Sequence, residues 1–563
     1  MKKNLSKKIS YSQLRLEKER LGVKPFRRVA FPIANRTPEF LIVVLTAIFS
    51  FPFFRLPFQA DDEIFMFNMS HFYLQHPIEI FHQTLTSFHV DYAANGRLIL
   101  FSHLFALVGI ALTSLVGQIF SLDAIASYSV VGILLNILLG LASLRLLKTL
   151  TSTKSFSGNL YYIYALIFPI TILSNESFSG FRMIYWNYTF EVVVAVFLLS
   201  LVVNVAKMSK SIRQLLFIIG LCVCFLFGNE ITQFFGFIAI PLYMFVKYDN
   251  TLKISWKQSS SSAITKLRTI IDIPLITFSL IYFLTSIFIR IHQHHICPDA
   301  NSCYASANLN VTKWNFESLI SSLIKAIGDF PPFGFTYWLN NRDFHMQALM
   351  LTIGAAIVGF GGTFLAWIKM KQNSIRQSKE STNSDRDISL RSLFFLFGSI
   401  AFLVPLLQSF IVASQKTSIV LSDIGKSDRS ITLSQPFVAL TISVIIFGTF
   451  NIAKSENLKK FIYLCIAFLA TFNFLVNISV STGQRATNEF RIQSMLATEL
   501  KVAAILPGDD NRRCAEFKDK LLKAKTWKGH DLLVYDGLNS EYLHNYKVPF
   551  CSIETDSMFA NYI

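Results

Sequence analysis

LFFLFGSIAFLVPLL, residues 393 to 407, is apolar around its whole circumference when wound as a helix. A surface helix of a soluble protein keeps a polar face, and this one has none. Similar runs recur from Phe40 to Val480, many of them near the roughly 20 residues that span a hydrocarbon layer. The whole chain carries the same bias. Of its 563 residues 52% are hydrophobic, 55 are Phe and 15% are charged, against about a quarter charged in soluble domains. Mean hydropathy is +0.45. The reading is an all-α polytopic membrane protein.

The formal charge of +17 is distributed in a telling way. Lys and Arg gather at 1 to 36, 145 to 154 (RLLKTLTSTK), 207 to 213 (KMSKSIR), 247 to 268, 369 to 391 and 454 to 460, between apolar runs. Cytoplasmic loops of membrane proteins show this excess, and it attracts anionic head groups; nucleic acid is not implied. Residues 1 to 37 lack an apolar core and so read as a basic cytoplasmic arm rather than a signal peptide.

Placing every basic cluster inside requires an even number of crossings between neighbours. Residues 155 to 206 supply a pair, with SNESFSGFRMIYWN between them. Residues 214 to 246 supply another, because a single helix of that length would reach roughly 50 Å. Residues 269 to 290 and 346 to 368 flank a long outside loop, 392 to 413 and 435 to 453 a shorter one, and 461 to 480 leads out. The first interval offers three apolar runs, 39 to 56, 98 to 118 and 125 to 147, so one of them fails to cross. The run 98 to 118 follows a polar loop and contains His103, and it is expected to lie at the outer interface or re-enter. The result is about 11 transmembrane helices with the N-terminus inside; leaving RLLKTLTSTK outside gives 12 instead.

The transmembrane domain is thus expected over 38 to 480, with outside loops 57 to 97, 175 to 187, 291 to 345 and 414 to 434. Residues 481 to 563 read as a small extracytoplasmic α/β domain: RIQSMLATELKVAAIL has a helical pattern and DLLVYDG a strand ending in a turn. Cys297 with Cys303, and Cys514 with Cys551, share outside segments, whereas Cys222, Cys224 and Cys465 fall in apolar runs. That distribution suits an oxidising compartment outside.

Polar chemistry concentrates in the outside loops. Asp61, Asp62 and Glu63 follow the first span directly. They read either as acids at a helix N-terminus or as a general base or cation ligands facing a cavity. The loop ends in Asn95-Gly96-Arg97 before the helix bearing His103. Arg97 is a snorkelling side chain or a bidentate phosphate ligand. His71, His76, His82 and His89 match no compact zinc spacing. Glu176, Arg182, Trp186, Asn187 and Tyr188 mark the second loop, its aromatics suiting a membrane boundary. Glu230, in Gly228-Asn229-Glu230, stands between two halves too short for full spans, and acids at such depth are functional candidates. The third loop holds His292, His294, His295 and GDFPPFG, and the histidines lack a second ligand type, so no metal site is assigned. The fourth holds Asp423, Lys426, Asp428 and Arg429. No P-loop, dinucleotide fingerprint, nucleophile elbow or H-E-x-x-H is present.

An acidic pair with Phe65 after the first span, then Asn95-Gly96-Arg97 opening an apolar helix with His103, resembles the bacterial polytopic glycosyltransferases of the GT-C superfamily. Glu230 in GNEITQFF and Arg429 before a late span add to the resemblance, which covers about a fifth of the chain. The second loop departs from the family's tryptophan-glycine-tyrosine pattern at Trp186 and Tyr188. The resemblance implies inverting sugar transfer from a polyprenyl-phosphate donor to an envelope glycan or glycolipid acceptor outside the membrane. It makes Asp61, with Asp62, the general base and Arg97 and Arg429 the ligands of the departing phosphate. Glu63, Asn95, His103, Glu176, Trp186 and Glu230 become substrate contacts. It also allows a divalent cation, Mg or Mn, on such acids. The rival classes are a lipid or glycan flippase, which would bring inverted repeats and midplane polar breaks, and a non-catalytic scaffold.

Overall fold

The computed structural model describes residues 36–54, 72–122, 124–151, 157–172, 189–208, 212–228, 230–255, 273–296, 346–380, 390–414, 428–453, 455–478 and 481. All regular structure among them is helical. The helices are α1 (Thr37–Ser50), α2 (Pro77–Asn95), α3 (Leu100–Phe120), α4 (Ala124–Thr151), α5 (Ser157–Ile170), α6 (Phe190–Ala206) and α7 (Ile212–Leu226). After them come α8 (Glu230–Ser255), α9 (Ile273–Ile296), α10 (Met346–Glu380), α11 (Leu390–Ser414), α12 (Asp428–Ile452) and α13 (Glu456–Ile478). A single turn, Phe72–Gln75, precedes α2. The α/β domain expected beyond residue 481 lies outside the described residues, as do Cys297, Cys303, Cys514 and Cys551. Cys222, Cys224 and Cys465 are free thiols in helices.

Among the described residues six helices are long and apolar enough to cross a membrane: Leu100–Phe120, Ala126–Thr151, Ile273–Gln293, Met350–Met370, Ser434–Ile452 and Glu456–Ile478. Shorter apolar helices accompany them, among them Thr37–Phe53, Phe190–Ala206 and the pair Ile212–Leu226 and Thr232–Lys247. The break between that pair falls at Gly228, as the length argument required. Apolar side chains are exposed on α9, where Leu280, Phe283, Leu284, Ile287 and Phe288 face outward. Fully buried Tyr162, Tyr164, Phe168, Phe235 and Tyr282 fill the interior. An apolar surface over an apolar core suits lipid as the solvent.

The bundle has two chemically different ends. At one, Lys148 of α4 pairs with Glu39 of α1, and Lys207, just after α6, donates to the Thr149 carbonyl. There too, Gln214 of α7 donates to the Val205 carbonyl (3.0 Å) and to the Tyr243 hydroxyl of α8 (2.9 Å). At the other end, Thr232 of α8 donates to Glu191 of α6 (2.8 Å) and Phe105 of α3 meets Phe190 edge-on (4.9 Å). The Phe101 N–H of α3 donates to the Phe227 carbonyl just past α7 (2.9 Å).

These contacts place α3. Its N-terminal turn sits on the chain beyond α7, at the end opposite Lys148. Its C-terminal turn sits there as well: Gly117 packs against Ser127 near the start of α4, and Ser127 stands about 31 Å along α4 from Lys148. By length and composition α3 could cross a membrane, yet both of its ends lie toward one end of the bundle. The reason is local. Ser121 leaves α3 in the left-handed conformation, φ 52, and α4 uses its own length to reach the basic end.

Asn473 and Asn477, one turn apart on α13 and fully buried, both donate to the Ile172 carbonyl beyond α5, at 3.0 and 2.9 Å. A helix C-terminus leaves carbonyls without partners, and this clamp supplies two donors to one of them. Either single Asn→Ala change is expected to lower the apparent Tm slightly, since one donor remains. The double change should cost about 1–3 kcal/mol beyond the sum of the singles. Heating the detergent-solubilised variants and scoring the surviving monodisperse fraction checks this.

Candidate functional site

The residues singled out in the sequence divide into three groups. Asp61, Asp62, Glu63, Glu176 and Trp186 lie outside the described residues. Glu230 is the first residue of α8 and Arg429 belongs to the first turn of α12. Asn95, Arg97 and His103 are described fully, and the structure brings them together around a residue that the sequence reading passed over, Asp91.

The segment read as the end of an outside loop is the helix α2. Pro77 occupies its first turn, where a missing N–H costs nothing. Residues four apart share a helix face, so Asp91 and Asn95 align, and Asn95 Nδ2 donates to Asp91 Oδ1 at 3.0 Å. Gly96 ends the helix in the left-handed conformation, φ +65, which a side chain would disfavour. Its N–H returns to the Tyr92 carbonyl (3.0 Å) and that of Arg97 to the Asp91 carbonyl (3.4 Å). The chain then turns into α3, whose first full turn presents His103. His103 Nε2 meets Asp91 Oδ2 at 2.7 Å. One carboxylate thus ties α2 to α3.

A third helix closes the arrangement. The last turn of α9 puts the Gln293 backbone against Gly96, so close that a Cβ there would stand 3.1 Å from Gln293 Cα. Gln293 is buried and accepts at Oε1 from Arg290 Nη1 (2.8 Å). The His292 ring stacks on Tyr92 with centroids 4.7 Å apart. The side chains of His103 and Asp91 remain 24% and 22% exposed, so a ligand at this end could reach them.

Burial alone would push the Asp91 carboxyl up. The hydrogen bonds from His103 and Asn95, with the charges of His103 and Arg97, outweigh burial and hold it below its ordinary value. The carboxylate form is therefore bound more favourably in the folded chain than in the unfolded one. That stabilisation is complete above the unfolded carboxyl value, about 3.9, and is lost as pH falls through the lowered folded value. Acid unfolding of wild type should accordingly lose this contribution below about pH 4, and Asp91→Asn should flatten that part of the stability–pH curve. Paired acid titrations followed by tryptophan fluorescence check it.

A second acid escaped the sequence reading. Glu191 is fully buried in the apolar helix α6 and accepts from Thr232 at the same end of the bundle. An acid inside FEVVVAVFLLS was a visible signal, and Asp91 could have been found four residues before Asn95. Among the described residues no group of three His, Cys, Asp or Glu side chains could hold a metal ion. Compared with protein-family models, curated proteins and solved structures, the chain matches none.

Proposed function

We propose that this chain is a membrane glycosyltransferase that moves a sugar from a polyprenyl-phosphate donor to a glycan or glycolipid acceptor of the bacterial cell envelope, with inversion. The observation that carries the proposal is the gathering of Asn95, Arg97 and His103 around Asp91. It lies at the end of the bundle away from Lys148 and Lys207. Basic residues favour the cytoplasmic side, so the cluster is assigned to the outer side of the plasma membrane, with the N-terminus inside and 11 crossings. In this topology α3 lies at the outer interface, which its one-sided ends support.

The chemistry follows from the charges. Negative charge develops on the carrier phosphate as the sugar leaves, and Arg97, whose planar fork suits phosphate oxygens, stands where it could meet that charge. Arg429 at the start of α12 is the second candidate. The GT-C resemblance puts the proton acceptor among Asp61 and Asp62, and allows a divalent cation on the same acids.

Purified protein in lipid nanodiscs, supplied with polyprenyl-phosphate-linked hexoses and pentoses and an isolated envelope glycan, tests the proposal. Wild type should transfer sugar. Arg97→Ala should reduce kcat by about 100- to 1,000-fold, the usual consequence of removing a donor to developing charge. Unchanged transfer by Arg97→Ala, Asp61→Asn and Asp62→Asn together would remove the site assignment. Absence of transfer by wild type across the donor panel would favour a flippase or a scaffold.

A further inference from the structure

We propose that the seam between α4 and α6, at the end of the bundle marked by Lys148 and Lys207, binds an anionic phospholipid of the adjoining leaflet. The acyl chains follow an apolar stripe of α4, and the phosphate meets Arg145. The inference needs only a chain seated in a bilayer and is independent of the transferase reading. Leu134 and Leu138 of α4 are 48% and 45% exposed. Arg145, also exposed, falls within about 40° of both around the helix. The three residues therefore share one outward face, apolar at first and cationic shortly before the helix ends at Thr151.

The guanidinium of Arg145 stands over the Phe197 ring of α6, 4.5 Å from its centroid, and Phe197 is itself 37% exposed. A guanidinium stacked on an aromatic face still offers the N–H groups of its edge, so this contact orients the fork without consuming it. One turn further along α4, the Thr149 carbonyl accepts from Lys207, which brings a second cation to the same stretch of helix. Charge then decides the occupant. Lys148 is matched by Glu39, whereas among the described residues no carboxylate pairs with Arg145. A cation on the outward stripe of a membrane-length helix is costly without a counter-charge. A phospholipid fits both parts of the seam: its chains cover Leu134, Leu138 and Phe197, and its phosphate oxygens suit the guanidinium fork. A zwitterionic lipid brings its own ammonium to the head group, so two basic side chains favour an anionic one.

Native mass spectrometry of the full-length protein in detergent tests this, with phosphatidylglycerol and phosphatidylcholine of the same acyl composition added in equal amounts. Wild type should retain phosphatidylglycerol in preference. Arg145→Gln and Lys207→Gln should each lower that retention about fivefold, the scale of one basic residue beside an anionic head group. Phosphatidylcholine retention should not change. Arg145→Lys keeps the charge without the fork and should fall between wild type and Arg145→Gln. Arg145 is exposed, so Arg145→Gln should elute as wild type does, and its loss of lipid is then a loss at the head group. Lys460→Gln removes the same charge from an exposed position on α13 and should retain both lipids as wild type does. Equal retention of the two lipids by wild type would overturn the proposal. So would an equal loss in Lys460→Gln, which would reduce the effect to overall charge. Full displacement of the lipid by millimolar inorganic phosphate would overturn it too, because the seam would then be a plain anion site.

Discussion

Gly96→Val is expected to lower the stability of the protein and abolish the proposed sugar transfer in one step. Two independent costs fall on this position. A left-handed backbone is disfavoured for any side chain by about 1–2 kcal/mol, and most strongly for a β-branched one; Gly96 has φ +65. The new Cβ would also press on the Gln293 backbone at 3.1 and 3.2 Å, and the last turn of α9 cannot yield as a flexible side-chain tip could. Overpacking of this kind adds about 1–3 kcal/mol. The only relief is to open the turn between α2 and α3, which pulls Asp91 and Asn95 away from His103 and re-aims Arg97. A drop in apparent Tm together with loss of sugar transfer is the expected pair of results. A variant with wild-type Tm and kcat would show that the turn is not what holds the cluster. Gly220→Ala and Gly354→Ala, where an added Cβ meets nothing within 4 Å, are the controls that should behave as wild type.

The second large effect is expected at Gly236→Ala in α8, a position with no assigned chemical role. A Cβ at Gly236 would fall on the ring of Tyr282 in α9. Tyr282 is fully buried, stacks on Phe278 (5.6 Å), meets Phe237 edge-on (5.0 Å) and donates its hydroxyl to the Gln233 carbonyl. The ring has no empty space to enter, so α8 and α9 must separate and the hydroxyl bond goes with them. Adding overpacking to a lost buried hydrogen bond gives about 3 kcal/mol. Loss of monodispersity on mild heating is the expected readout. Gly236→Ala combined with Tyr282→Phe should recover little, because the clash is with the ring and not only with the hydroxyl.

Much of the frame was legible because its physics is local. An apolar run of about 20 residues announces a helix in lipid whatever surrounds it, so the helical class, the break at Gly228 and the free cysteines in apolar helices could all be read from composition and length. The Asn95-Gly96-Arg97 stretch was read as the end of a loop, and the helix α2 that Gly96 terminates was not read. Nor was its environment. Asp91 belongs to a polar stretch read as loop, and nothing in HVDYAANGR says that a histidine 12 residues later bonds it.

The placement of Leu100–Phe120 divides the two sources of information most clearly. Sequence by itself determined that this segment is an apolar helix, because side-chain hydrophobicity is a property of each residue. Charge counting gave a reason to deny it a crossing and left two positions open, the outer interface or a re-entrant path. Only the tertiary structure decided that both ends of the helix turn toward the same end of the bundle, because that depends on which surfaces Phe101 and Gly117 find: the chain beyond α7 and the start of α4. The same holds for the candidate site. Residue types announced an asparagine, an arginine and a histidine, but one carboxylate could join them only after α2 and α3 packed together, since convergence of side chains is a property of packing and not of the chain.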